Sequence, residues 1–200
     1  MIYRIGLTGN VATGKSQVAR MLGELGAHVI DADALTHELE RKGRPVHAAI
    51  AAAFGPDILR ADGEIDRAQL GKLVFSDPGA LRRLEAIVHP AVTAEIARQI
   101  SDIRSQTSDK RAVIVIEAIK LIEAGLHKPC DALWVVTCRP GLQLDRLIRT
   151  RGLSEADARL RIVAQPPQSE KAALADVLIE NNGTLDDLRA QVRHHWEQIQ

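Results

Sequence analysis

Apolar positions along this chain follow two rhythms. Short, nearly unbroken apolar runs lie at Tyr3 to Thr8 ("YRIGLT"), His28 to Asp31, Ala112 to Ile116, Ala132 to Thr137 and Val177 to Glu180. Their length and composition predict buried strands. Between them the apolar residues return at helical spacing. After Lys15, the residues Val18, Ala19, Met21, Leu22 and Leu25 share one face, and Gly26 supplies a stop. Near the end, Leu185, Leu188, Val192, Trp196 and Ile199 mark a helix that packs on the sheet. Strands alternating with helices predict a parallel α/β sheet. There is no internal repeat and no low-complexity segment. "SQTSDK" (Ser105 to Lys110) reads as a polar turn before the third strand.

Two connections exceed the dozen or so residues that a crossover between parallel strands needs. From Asp33 to Arg111 there are about eighty residues with helical patterning and no convincing strand. Asp66 precedes "RAQLGKLVF". Asp77-Pro78 has the form of an N-cap followed by proline at the first helical position, opening "GALRRLEAIV", and "AVTAEIARQI" follows His89-Pro90. This is an inserted helical subdomain that leaves the sheet at the carboxyl end of the second strand, where open α/β sheets bind ligands. The second long connection, Cys138 to Asp176, carries Arg139, Arg146, Arg149, Arg151, Arg159 and Arg161. Ser154 with Asp157 three residues on opens a capped helix within it. A basic helical excursion of this kind suggests a lid. Arg159 and Arg161 have helix partners in Glu155 and Asp157, so they are expected to form surface ion pairs. Arg146, Arg149 and Arg151 lack such neighbours, and at least one of them is expected to meet phosphate.

The first strand and first helix are joined by "LTGNVATGKS", which fits G-x-x-x-x-G-K-[ST] through Gly9, Gly14, Lys15 and Ser16. A glycine-rich turn between strand and helix turns backbone N–H groups toward one point, and the helix dipole adds positive potential there. The residues Gly9, Asn10, Val11, Ala12, Thr13 and Gly14 are therefore expected to cradle nucleotide phosphates. Lys15 would bring a full charge to the outer phosphates, and the Ser16 hydroxyl is a suitable hard ligand for Mg²⁺.

Composition narrows the use of that loop. With 200 residues the chain suits one domain with inserted parts, large enough to bury a core without disulfides. Lys plus Arg and Asp plus Glu are both 26, which argues against general nucleic-acid or anionic-membrane binding. Tyr3, Phe54, Phe75, Trp134 and Trp196 are the only aromatic residues of the Phe, Trp and Tyr class, leaving little to stack bases on. Cys130 and Cys138 lack metal-type spacing and are read as unpaired thiols in a reducing compartment. No apolar stretch approaches a membrane span, and the N-terminus enters a strand at once, so a cytosolic protein is expected.

The second strand ends "VIDADALTH", placing Asp31 and Asp33 at the carboxyl edge of the sheet, near the expected γ-phosphate position. One carboxylate there would accept the proton of an attacking hydroxyl. Asp33 is favoured as base because Asp31 still belongs to the strand, leaving Asp31 to orient the site or hold a metal-bound water. Asp33 could also cap the helix that starts "ALTHELE". Asn-Lys-x-Asp, the guanine reader expected of a GTPase, is missing. Loop, acids, insertion and arginine-rich segment together fit a small-molecule kinase, which receives ATP and Mg²⁺. His194 and His195 are expected to be surface residues.

The chain resembles the dephospho-coenzyme A kinases over nearly its whole length. The resemblance rests on "LTGNVATGKS", "VIDADALTHEL", "GEIDRAQLGKLVFSDPGALRRLEAIVHPAV", "LDRLIRTRGLSEADARLRIVAQ" and "EKAALADVLIENNGTLDDL". It implies a P-loop kinase-type three-layer sandwich with a five-stranded parallel sheet. Residues 1–33 and 111–200 would form the nucleotide-binding core, with a mobile lid at about 139–170, and residues 34–110 the helical substrate-binding insertion. The implied reaction moves the γ-phosphate of ATP to the ribose 3′-hydroxyl of dephospho-coenzyme A, with Asp33 as base. His89 would lie near the coenzyme A substrate, although by itself it reads equally as a helix-end residue before Pro90. Asn182 and Gly183 match the family's turn near adenine, and alone read as an ordinary turn. Another small-molecule or nucleoside monophosphate kinase, or a non-catalytic nucleotide-binding regulator, are the alternatives.

Three departures from the family pattern stand out. Asn10 and Ala12 occupy positions where glycines are common. Asn tolerates positive φ, and Ala12 is expected to keep a negative φ because a left-handed alanine is costly. After the third strand, where the family often has Pro-Leu-Leu-Phe-Glu, this chain has Ile119, Lys120, Leu121, Ile122 and Glu123. Lys120 either meets a substrate phosphate or is a solvated helix residue. In the lid, Thr150 stands where Arg is usual and Arg151 where an acid follows, so Arg149 or Arg151 would take over that role.

Overall fold

The computed structural model describes residues 2–107 and 112–199. In chain order the main elements are β1 (Ile2–Thr8), α1 (Lys15–Glu24), β2 (His28–Asp31), α2 (Ala32–Leu39), α3 (Pro45–Phe54), α4 (Arg67–Ser76), α5 (Pro78–Gln106) and β3 (Ala112–Glu117). They continue with β4 (Ala132–Thr137), α6 (Pro140–Arg151), α7 (Glu155–Val163), α8 (Gln168–Ala172), β5 (Val177–Glu180) and α9 (Leu185–Glu197).

The five strands form one parallel sheet in the order β2-β3-β1-β4-β5. β3 is buried along its whole length and β4 over all but its last residue. That explains why those runs are apolar throughout rather than alternating: helices cover both faces. On one face Ile5, Leu7, Val113, Val115, Trp134, Val136 and Ile179 meet Val18, Leu22, Leu188, Val192 and Trp196 from α1 and α9. The helical stripes seen in the sequence thus find the strand residues they were spaced to cover. On α9 His194 is exposed as expected, whereas His195 is half-buried and packs edge-on against Trp134 with the ring centroids 5.8 Å apart.

The chain divides into two compact units, residues 1–31 with 103–200, and residues 32–102. The anticipated insertion, 34–110, starts two residues later than the second unit. α2 begins directly after β2 with no loop between them. Its expected end and part of the "SQTSDK" turn, residues 108–111, lie outside the described residues.

Within the second unit, Asp66 accepts hydrogen bonds from the backbone N–H groups of Ala68 and Gln69, both at 3.0 Å, and so caps α4. Asp66→Ala should lower stability by about 1 kcal/mol. Chemical denaturation should show this as a lower midpoint with an unchanged slope. Asp77 likewise receives Gly79 N–H at 2.7 Å ahead of Pro78. The break expected at His89-Pro90 does not occur, because α5 runs 29 residues with Pro90 inside it. Proline removes one helix hydrogen bond and crowds the preceding turn. Here Val88, Val92 and Ile96 are buried on either side of an exposed Pro90, so packing carries the helix through. His89 is therefore a helix-interior residue, not a helix end.

Candidate active site

The loop Gly9–Gly14 leaves the carboxyl end of β1, the middle strand of the sheet, and delivers Lys15 and Ser16 to the first turn of α1. Two close approaches dictate its glycines. A Cβ on Gly9 would stand 2.4 Å from the Val136 carbonyl oxygen and 2.8 Å from Thr13 Oγ1. Gly14 has φ +99°, and a Cβ there would lie 2.0 Å from Asn181 Nδ2. Both positions exclude a side chain for reasons a motif alone does not reveal.

Ala12 differs from expectation. Its φ is +59°, the one non-glycine residue with positive φ among those described. The loop therefore keeps the left-handed turn that a glycine would adopt freely, at a cost of about 1–2 kcal/mol for alanine. The surroundings compensate. Gln143 Nε2 donates to the Val11 carbonyl at 2.7 Å, and the Val11 N–H donates to Gln165 Oε1 at 2.8 Å. Asn10 Nδ2 donates to the Pro166 carbonyl at 2.8 Å, and Thr13 Oγ1 to the Asn10 carbonyl at 2.9 Å. The segment expected to be a lid is thus bonded to the loop. Val11 also packs with Leu147, Ala158 and partly buried Leu144, Ile148 and Ile162 of α6 and α7.

Arg146 does not project free of this arrangement. Its Nη1 donates to the Thr13 carbonyl at 3.2 Å and its Nη2 to the Asn181 carbonyl at 3.0 Å. Asn181 Nδ2 in turn donates to the Thr13 carbonyl at 2.8 Å. Arg149 and Arg151 are exposed on the last turn of α6. Arg159 pairs with Glu155 at 2.7 Å, as the i,i+4 spacing predicts, while the Asp157 carboxylate accepts from Ser154 Oγ at 2.6 Å. Asn182 Oδ1 accepts the backbone N–H of Arg139 at 2.7 Å, and Gly183 follows it just before α9.

The strongest electrostatic feature is one that the sequence reading missed. Lys15 Nζ meets Glu117 Oε1 at 2.6 Å, with side-chain exposures of 9% and 5%. Ser16 Oγ donates to the same oxygen at 2.8 Å. Glu117 is the last residue of β3, beside Leu7 on one flank and Asp31 on the other. A buried ion pair is tolerated when further hydrogen bonds satisfy it, and Ser16 supplies one. The available signal was an acid ending a run of five apolar residues on a strand beside the loop-bearing strand. It reads as a strand stop until the sheet order puts it next to Lys15.

The remaining expected site residues fall in different places. Asp31 ends β2 on the same sheet edge as the loop. Asp33 is the second residue of α2, past the cap position, and belongs with His89 to the unit of residues 32–102. An acid in the first turn still gains from the helix dipole. Lys120 is exposed in the turn after β3. Nearby, Lys171 of α8 is buried, donates to the Ile119 carbonyl and pairs with Glu123 at 3.2 Å. An open groove of about 700 Å³ is lined by Asn10, Cys138, Gln143, Gln165 and Leu178, among others, but not by Lys15, Ser16 or Glu117. The groove therefore reaches the phosphate loop at Asn10 without including the Lys15–Ser16–Glu117 cluster. Both cysteines are free thiols, and burial pushes that of Cys130 up to about 11. Among the described residues no helix is long and apolar enough to cross a membrane.

Comparison with known proteins completes the picture. The family model of dephospho-CoA kinase matches residues 3–187. A dephospho-CoA kinase of Symbiobacterium thermophilum is 49% identical over 192 residues, spanning 96% of this chain and 79% of that one. A crystal structure of a Thermus thermophilus protein aligns with a TM-score of 0.82 at 31% identity, over 99% of this chain and 98% of the other. A dephospho-CoA kinase from Campylobacter jejuni gives a TM-score of 0.70 at 26% identity, over 100% and 98%. The phosphate loop, the parallel sheet that carries it and these matches lead to one statement: the chain belongs to the dephospho-CoA kinase family, and it is an ATP-dependent kinase.

Proposed function

We propose that the chain transfers the γ-phosphoryl group of ATP to the ribose 3′-hydroxyl of dephospho-coenzyme A, with the following division of labour. The observation that carries the reading is the convergence of Lys15, Ser16 and Glu117 at the mouth of the phosphate loop. Loop N–H groups from Gly9 to Gly14 and the α1 dipole bind the phosphates. Lys15 exchanges part of its contact with Glu117 for the outer phosphates, where charge develops during transfer. Ser16 and Glu117 offer hard oxygen donors at one point, which fits Mg²⁺ held jointly by protein, phosphates and water. When bound, Mg²⁺ would neutralise phosphate charge.

Asp33 accepts the proton of the 3′-hydroxyl as its oxygen attacks the γ-phosphorus. The bond from phosphorus to the β–γ bridging oxygen breaks, and ADP leaves. Asp31 orients this site. Arg146 holds the loop backbone and the Asn181 turn, and Arg149 supplies positive charge over the phosphates. Asn182 and Gly183 border the adenine, while His89 and Lys120 contact dephospho-coenzyme A.

The test is phosphate transfer from ATP to dephospho-coenzyme A, run beside nucleoside monophosphates. Turnover confined to dephospho-coenzyme A is expected. Preferential turnover of a nucleoside monophosphate would reassign the acceptor, and no transfer to any acceptor despite ATP binding would leave a nucleotide-binding regulator.

A further inference from the structure

We infer that Gln143 and Gln165 are positioning residues that hold the phosphate loop in its anion-binding shape by clamping the two polar groups of Val11 around the left-handed Ala12. The inference rests on the reading of this loop as an ATP site.

The geometry is specific. Rotation about φ of Ala12 swings the peptide whose oxygen is the Val11 carbonyl. Gln143 Nε2 donates to that oxygen at 2.7 Å, so it holds the rotation directly. On the other side of the same residue, Val11 N–H donates to Gln165 Oε1 at 2.8 Å and fixes the preceding peptide. Gln143 is itself oriented, because its Oε1 accepts from Gln168 Nε2 at 3.1 Å. Gln168 is locked by Cys138, accepting from its N–H at 3.0 Å and donating to its carbonyl at 3.1 Å. Gln143 is 2% exposed, so water does not replace its bond to Val11.

A left-handed alanine resists this shape, as a glycine would not. Relaxation of Ala12 toward negative φ would turn the adjoining peptides and misdirect N–H groups that must face phosphate. The clamp supplies the opposing force. Because the two glutamines come from α6 and from the residue pair after α7, the shape of the loop is tied to the position of the segment above it. Loss of one clamp bond should weaken ATP binding more than it slows transfer at saturating ATP.

A thermodynamic cycle tests this through Ala12. ATP affinity by calorimetry, KM and kcat would be measured for the natural protein, Gln143→Met, Ala12→Gly and the double variant. Methionine preserves the length and removes the donor. We expect Gln143→Met to weaken ATP binding about tenfold where residue 12 is alanine, and only about twofold in the Ala12→Gly background, since glycine does not need to be held. An equal factor in both backgrounds would overturn the clamp, as would a fallen melting temperature with unchanged ATP affinity. Should Gln143→Met not fold, half-buried Gln165→Leu removes the acceptor for Val11 N–H and must show the same dependence on residue 12. Failure of the natural protein to bind ATP would instead overturn the proposed function, which separates the two failures.

Discussion

Asp33→Asn is expected to bind ATP normally and to lose turnover by roughly 10²–10⁴. The amide keeps the size of the carboxylate but cannot accept the 3′-hydroxyl proton. A purely structural role predicts something else. Asp33 is the second residue of α2, where its charge gains about 0.3–1 kcal/mol from the helix dipole, so a structural role would show as a lower melting temperature with turnover retained. Asp31→Asn should cost less activity, since Asp31 ends β2 beside Glu117 and is assigned an orienting role. Turnover and melting temperature of both variants with dephospho-coenzyme A decide the matter. Normal turnover for Asp33→Asn with loss for Asp31→Asn would reverse the assignment. Normal turnover for both would move the reaction away from this strand end.

Lys15→Ala is expected to reduce transfer about 10²–10³-fold by removing a preorganised charge from the migrating phosphoryl group. The ion pair adds a second consequence. With Lys15 gone, Glu117 keeps one hydrogen bond from Ser16 and no longer has the Lys15 charge beside it, at 5% side-chain exposure. Orphaning one partner of a buried pair typically costs about 3–5 kcal/mol. The single variant should therefore melt clearly below the natural protein. Adding Glu117→Gln removes the buried charge and should restore most of the melting temperature without restoring the rate. A Lys15→Ala variant with near-normal turnover would sink the phosphate-loop reading. Equal melting temperatures for single and double variants would mean that the pair is not an energetic unit.

Much of the architecture was legible because it rests on local chemistry. The runs "HVID", "ALWVVT" and "VLIE" became strands with the expected bounds, since short apolar stretches between turn residues have few other ways to bury themselves. Ser154 accepts Asp157 N–H at 3.1 Å, and Asp66 and Asp77 bond the helix starts they precede, because capping depends on spacing alone. The phosphate loop was legible for the same reason: four residue types at fixed offsets between a strand and a helix.

Tertiary structure decided what depends on residues far apart in sequence. Pro90 reads as a break, yet buried neighbours on both sides hold α5 together. Ala12 reads as a negative-φ residue, since an isolated alanine avoids the left-handed region; partners more than a hundred residues away, Gln143 and Gln165, stabilise the other choice. Glu117 reads as the polar end of an apolar strand, and only the order β2-β3-β1 brings it to Lys15 and Ser16, 102 and 101 positions away. Spacing rules capture bonds that close within one helical turn. A sheet order that places β3 beside β1 is set by apolar burial over the whole core, and the charges that meet across it become neighbours only when that core has formed.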